Sequence, residues 1–155
     1  MPLKNYTSTV PIDRTLRRIE AALVQAGATN INREYNSDHE IQAMRFAIAD
    51  PTVGKVIEIR LPVDAEAAYA AMVQEAKRER PRTRPKTMDK LRDQAWRTAW
   101  RLMEDWTRVQ LSLIEMRQVE LLQVFLPYVW NGRTTFYAQL KAGSFKMLPQ
   151  HEEAR

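Results

Sequence analysis

The chain has 155 residues, 45% of them hydrophobic and 28% charged, which suits one globular domain with a single core. It contains no cysteine, which excludes a disulfide framework and a thiolate metal site, and its formal net charge is +5. The opening MPLKNYTSTVPIDR has no apolar stretch of the signal-peptide kind, and no apolar run approaches the ~18 residues of a membrane-spanning helix, so a cytoplasmic protein is expected.

KNYTSTVP (4–11) is rich in Thr, Tyr and Val and ends at a proline, so it reads as a short strand. Asp13 then caps a helix with Leu16, Ile19 and Leu23 on one face and Gly27 as its stop. Three more extended segments follow: NINREY (30–35), IQAMRFAIA (41–49) with Met44, Phe46 and Ile48 on one face, and KVIEIRL (55–61) with Ile57, Ile59 and Leu61 on one face. NSDHE and DPTVG supply the turns between them. Glu34, Glu58 and Arg60 fall on the opposite, wet face of the resulting antiparallel sheet.

Asp64 caps an alanine-rich helix that stops before Pro81 and Pro85. Thr87 caps the next one, which runs without Gly or Pro from about 88 to 116 and spans more than about 40 Å at ~1.5 Å per residue. Its apolar stripe is Leu91, Ala95, Ala99, Leu102, Trp106, Val109, Leu113 and Met116, widened by Trp96, Trp100, Met103 and Ile114. So broad a face predicts either a central place in the core or a homo-oligomeric contact through this helix. Its polar face, from Lys90 and Gln94 through Arg97, Arg101, Glu104, Asp105 and Arg108 to Glu115, reads as a solvated surface laced with ion pairs. A shorter apolar piece, a turn at Asn131-Gly132 and a final helix over about 134–142 complete the chain.

The expected fold is therefore α+β: a small four-stranded antiparallel sheet with an N-terminal helix, then a long Trp-rich helix and shorter C-terminal helices. One domain is expected over 1–145, with a sheet region at 1–76, a basic connector at 77–86 and a helical region at 87–145. Residues 146–155 read as a tail.

The connector KRERPRTRPK carries six basic side chains (Lys77, Arg78, Arg80, Arg82, Arg84, Lys86) against Glu79, so it accounts for the whole positive excess. Three readings compete. It is an extended, self-repelling hinge, a row of phosphate contacts for a nucleic acid, or an anion clamp beside the amides that open the long helix. Arg97 and Arg101, four apart on that helix beside Trp96 and Trp100, extend the third reading. The buried-core reading of those tryptophans is the stronger one. Arg82, Arg84, Arg97 and Arg101 are the residues that this reasoning selects for binding an anion.

Nothing selects a catalytic centre. The only histidines are His39, in a turn, and His151, in the tail, and no metal-binding spacing occurs. Ser8, Ser37, Ser112 and Ser144 lack a nucleophile-elbow context, and the four glycines form no phosphate loop. No enzyme, metal or cofactor is expected.

KNYTSTVPIDRTLRRIEAALVQAGA, together with QAWRTAWRLMEDWTRVQLSLIE and FLPY, resembles a group of small accessory proteins from phage and prophage genomes. The resemblance spans most of 4–145 and brings no assigned chemistry and no site residue with it. In outline the inferred architecture is also similar to that of the Thoeris-inhibiting anti-defence sponges, which sequester signalling nucleotides without cleaving them. What this implies is a non-enzymatic accessory protein, in the cytoplasm of a bacterial host, that binds a phosphate-bearing ligand. Nucleic-acid binding through 77–86 is the alternative.

Overall fold

The computed structural model of the protein describes residues 4–5, 8–78 and 87–150. In chain order these form helix α1 (Ile12–Gln25), strands β1 (Thr29–Tyr35), β2 (Ile41–Asp50) and β3 (Lys55–Arg60), helix α2 (Ala65–Arg78) and the long helix α3 (Met88–Glu115). Helix α4 (Leu121–Phe125), a 3₁₀ turn (Leu126–Tyr128) and helix α5 (Phe136–Ala142) follow. No described helix is long and apolar enough to cross a membrane.

The strands lie antiparallel in the order β1-β2-β3. Asn36 closes the first turn, its Oδ1 accepting the N–H groups of Asp38 and Glu40, each at 2.9 Å. In the second, Asp50 Oδ1 accepts the Thr52 N–H at 2.7 Å and Gly54 takes a left-handed φ of 64°. Met44, Phe46, Ile48 and Ile59 face one way and are buried, as their period-two spacing predicts. Helices α1 and α3 cover that face, with Leu16, Ile19, Leu23, Leu91, Ala95 and Met103 completing the core.

Among the described residues the sheet has three strands, not the four expected. The described residues of 4–11 form a turn at Lys4–Asn5 and then a segment without ladder pairing. Their carbonyls go instead to side chains of α3: Thr98 Oγ1 donates to Asn5 at 3.3 Å, and Gln94 Nε2 donates to Ser8 at 3.1 Å. Backbone acceptors satisfied in this way have no need of a sheet edge. The outer edge of β3 is met from the other end of the chain, where Val129 bridges Ile59 and the Trp130 N–H donates to the Glu58 carbonyl at 2.8 Å.

Helix α1 begins at Pro11 with no side-chain cap, so Asp13 is a first-turn residue, not the cap. It pairs there with Arg17 and Arg33. Asp64 and Thr87 do cap α2 and α3, accepting from the N–H groups of Ala67 at 3.0 Å and Lys90 at 3.3 Å.

The buried side of α3 is rotated from the expected stripe. Trp96 and Trp100 are 3% and 0% exposed, whereas Val109 and Met116 are 55% and 68% exposed. Both tryptophans are thus core residues; the Trp96 indole N–H donates to the Ile41 carbonyl at 3.1 Å.

Candidate functional site

The rotation of α3 carries part of its polar face inward. Gln94 and Glu104, read from the sequence as part of a solvated surface, are buried, and so are Thr98 and Thr107. The N-terminal segment lies over the first half of this row, and α1 lies over the second. Asp13 at the start of α1 shares a shallow pocket with Asp93, Arg18 in its middle reaches Glu104, and Gln25 at its end borders a cavity with Arg108 and Glu115. The two helices therefore run in the same direction.

Glu104 is the centre of this contact. Its side chain is 1% exposed, and three guanidiniums converge on it: Arg101 Nη1 at 2.8 Å, Arg108 Nη1 at 3.5 Å and Arg18 Nη1 at 4.0 Å. Desolvating a carboxylate costs several kcal/mol and must be offset by charge and hydrogen bonds, which explains the arginines. One guanidinium neutralises one carboxylate, so the cluster keeps a positive surplus that extends to the surface through Arg18 and Arg108, 42% and 62% exposed. Arg108 engages one of its nitrogens, at long range, out of a head that offers five donors. The next carboxylate, Asp105, is paired with Lys4, accepts from Asn5 Nδ2 and lies 3.9 Å from Arg101 Nε. Burial pushes the Asp105 carboxyl up, but the hydrogen bonds from Lys4 and Asn5 and the charges of Lys4 and Arg101 together hold it below its usual value.

Next to the cluster, where the second halves of α1 and α3 separate, opens a cavity of about 420 Å³. This is within the range of small-molecule sites, roughly 300–1,000 Å³. Ile48, Leu111 and Ile114 give it apolar wall, while Gln25, Arg108 and Glu115 give it polar rim. Arg108 belongs to both cavity and cluster. Among the described residues, no group of His, Asp and Glu has a metal-holding arrangement.

The residues selected from sequence fall as follows. Arg82 and Arg84 lie outside the described residues; of the connector, Lys77 and Arg78 are seen, as the last turn of α2. Arg97 donates to the Ser8 carbonyl at 3.3 Å and to Gln94 Oε1 at 2.8 Å, so it fastens the N-terminal segment. Arg101 sits in the Glu104 cluster. Arg97 and Arg101 share a helix face but hold different partners, and the structure does not bring their heads to one point. Arg18, Glu104 and Arg108 were not selected, although one signal was present. Thr15, Arg18, Ala22 and Gln25 form a polar or small row beside the apolar stripe of α1, suited to meet a polar row on a neighbouring helix.

Two other charged groups are engaged internally. On the wet face of the sheet, Arg45 hydrogen-bonds both Glu34 and Glu58, and the Arg45 and Arg60 heads lie 5.8 and 5.4 Å from the Trp130 ring. Arg92 binds Glu40 and Glu66 and stacks 4.2 Å from the Trp96 ring centre. The hydrogen bond that Arg92 donates to Glu40, followed by the one it donates to Glu66, raises the Arg92 pKa, and Arg92 in turn holds the Glu40 carboxyl below its usual value.

Comparison of the chain with protein-family models, curated proteins and solved structures finds no match.

Proposed function

We propose that this protein binds a small phosphate-bearing ligand in the cavity between α1 and α3 and does not transform it. The observation that carries the reading is the position of Arg108. It lies on the rim of a ligand-sized cavity and belongs to a cluster in which three guanidiniums surround one buried carboxylate. A phosphate placed there meets the Arg108 donors that Glu104 leaves unengaged, in a local field to which the cluster adds positive charge. Binding without chemistry is supported by the state of the sheet carboxylates. Glu34 and Glu58 both accept from Arg45, which occupies them as ion-pair partners.

The setting proposed with it is that of a phage or prophage accessory protein that sequesters a signalling nucleotide in the host cytoplasm. The resemblance of the three quoted stretches supports that setting, and the cavity supports the ligand. The same proposal has the protein assemble with copies of itself through α3, where Val109 and Met116 are exposed.

The test is mass spectrometry of whatever the purified protein releases on heat denaturation. An unmodified phosphate-bearing small molecule, lost from Arg108→Ala, supports the proposal; a cleaved product points to an enzyme.

A second reading, nucleic-acid binding through 77–86, is favoured by the charge count, since that stretch holds the chain's positive excess. It requires a steep fall of affinity with salt and loss of binding in an Arg80/Arg82/Arg84→Ala variant.

A further inference from the structure

The cavity is not positive throughout. Opposite Arg108 it is bounded by Gln25 and the capping residue Ala26 at the end of α1, and by Ile114 and Glu115 at the end of α3. Both helices end here, running in the same direction, so the negative ends of both macrodipoles meet at one rim. Neither helix has a basic residue in its last turn to oppose that charge. The Glu115 carboxylate adds to it. This rim repels an anion and favours a hydrogen-bond donor or a partial positive charge. Arg108 and Glu115 are seven residues apart on one helix, about 10 Å at the 1.5 Å rise, with Leu111 and Ile114 as apolar wall between them.

We infer that the cavity is built for a single nucleotide whose base carries an exocyclic amine, with the phosphate on Arg108 and the amine on Glu115. The inference rests on the proposal that the cavity takes a phosphate-bearing ligand, and adds the class of base. Three features of the wall match three portions of such a molecule. The arginine end takes the charge, the aliphatic stretch takes the flat faces of the base, and the carboxylate takes the amine hydrogens. The distance from phosphate to base edge in one nucleotide is also of the order that separates Arg108 from Glu115. A base with a carbonyl at that edge turns an acceptor toward the acceptor rim and is disfavoured.

Calorimetric titration of the full chain with AMP and IMP, and in parallel with CMP and UMP, tests this, because each pair exchanges the two-hydrogen amine for a carbonyl, with the adjoining ring nitrogen gaining a single N–H. Wild type is expected to bind the amine-bearing member about tenfold more tightly, the scale of one hydrogen bond to a charged group. Glu115→Ala, at an exposed helix end, removes the preference by weakening AMP and CMP and does not weaken IMP or UMP. Arg108→Ala weakens all four ligands about tenfold. Equal binding within both pairs by wild type, or a preference that survives Glu115→Ala, overturns the inference; loss of affinity in Arg108→Ala then still upholds the phosphate site. If none of the four nucleotides binds wild type, both this inference and the proposal beneath it fail.

Discussion

Arg101 Nη1 lies 2.8 Å from Glu104 Oε2, one turn apart on α3, with the arginine side chain 27% exposed and the carboxylate 1% exposed. The pair is asymmetric, and the asymmetry is measurable. Removing the arginine leaves a buried carboxylate with two longer-range partners, whereas neutralising the carboxylate leaves arginines that reach water. Arg101→Met is therefore expected to cost about 3 kcal/mol in urea denaturation, and Glu104→Gln about 1 kcal/mol. Equal losses would mean that Glu104 does not depend on its arginines.

The acid limb of stability follows from Asp105 and Glu40. Both carboxyls are held below their usual values in the folded state, Asp105 by Lys4 and Asn5 against the effect of burial, Glu40 chiefly by Arg92. A lowered folded pKa gives stability that is complete above the unfolded pKa and is lost as pH falls through the folded one. Between about pH 6 and about pH 3, below the ordinary range of carboxylates, the wild type should lose more in Tm than Asp105→Asn combined with Glu40→Gln. A parallel loss in both proteins would remove these two acids from the account.

Helices α1, α3 and α5 end in the same hydrogen-bond pattern, in which the two residues after the cap donate back into the last turn. In α1 the left-handed position is Gly27, with φ 96°, but in α3 it is Arg117, with φ 57°. A non-glycine residue there costs about 1–2 kcal/mol, partly offset by the greater entropy that glycine loses on folding. Arg117→Gly should stabilise the protein by about 0.5–1 kcal/mol in urea melts. Destabilisation by the substitution would show that the Arg117 side chain contributes a contact worth more than the backbone strain.

Val109 and Met116, 55% and 68% exposed near the end of α3, lie where the apolar stripe outruns the core. If copies associate through this helix, sedimentation velocity should find the wild type larger than a monomer. Val109→Asp with Met116→Lys should then sediment as a monomer, with a melting temperature that no longer rises with protein concentration. A monomeric wild type at millimolar concentration would end the proposal of self-association.

The legible features of this fold are those set by local periodicity and turn chemistry. Phe46 and Ile48 alternate with Arg45 and Ala47, and this placed the core face of β2 correctly. Thr87 and Asp64 marked two helix starts through the side-chain oxygens that cap them. Thr- and Val-rich composition misled at the described residues of 4–11, where the Asn5 and Ser8 carbonyls accept from α3 side chains and not from a neighbouring strand. Glu104 was misread for a related reason. Its i,i+4 arginines look the same on an exposed face as on one closed by a second helix, and only the path of α1 decides which it is. The connector was legible as charge, while the cavity, made by residues from α1, β2, α3 and α4, has no contiguous signature in the sequence.

The proposed anion site in the α1–α3 cavity depends on Arg108. The most direct measurement is the affinity of AMP for the wild type and for Arg108→Ala, by calorimetry at constant salt. Saturable binding at one site per chain, weakened about tenfold by the substitution, is the predicted result. Binding of equal strength to both proteins, or none to the wild type, would contradict it.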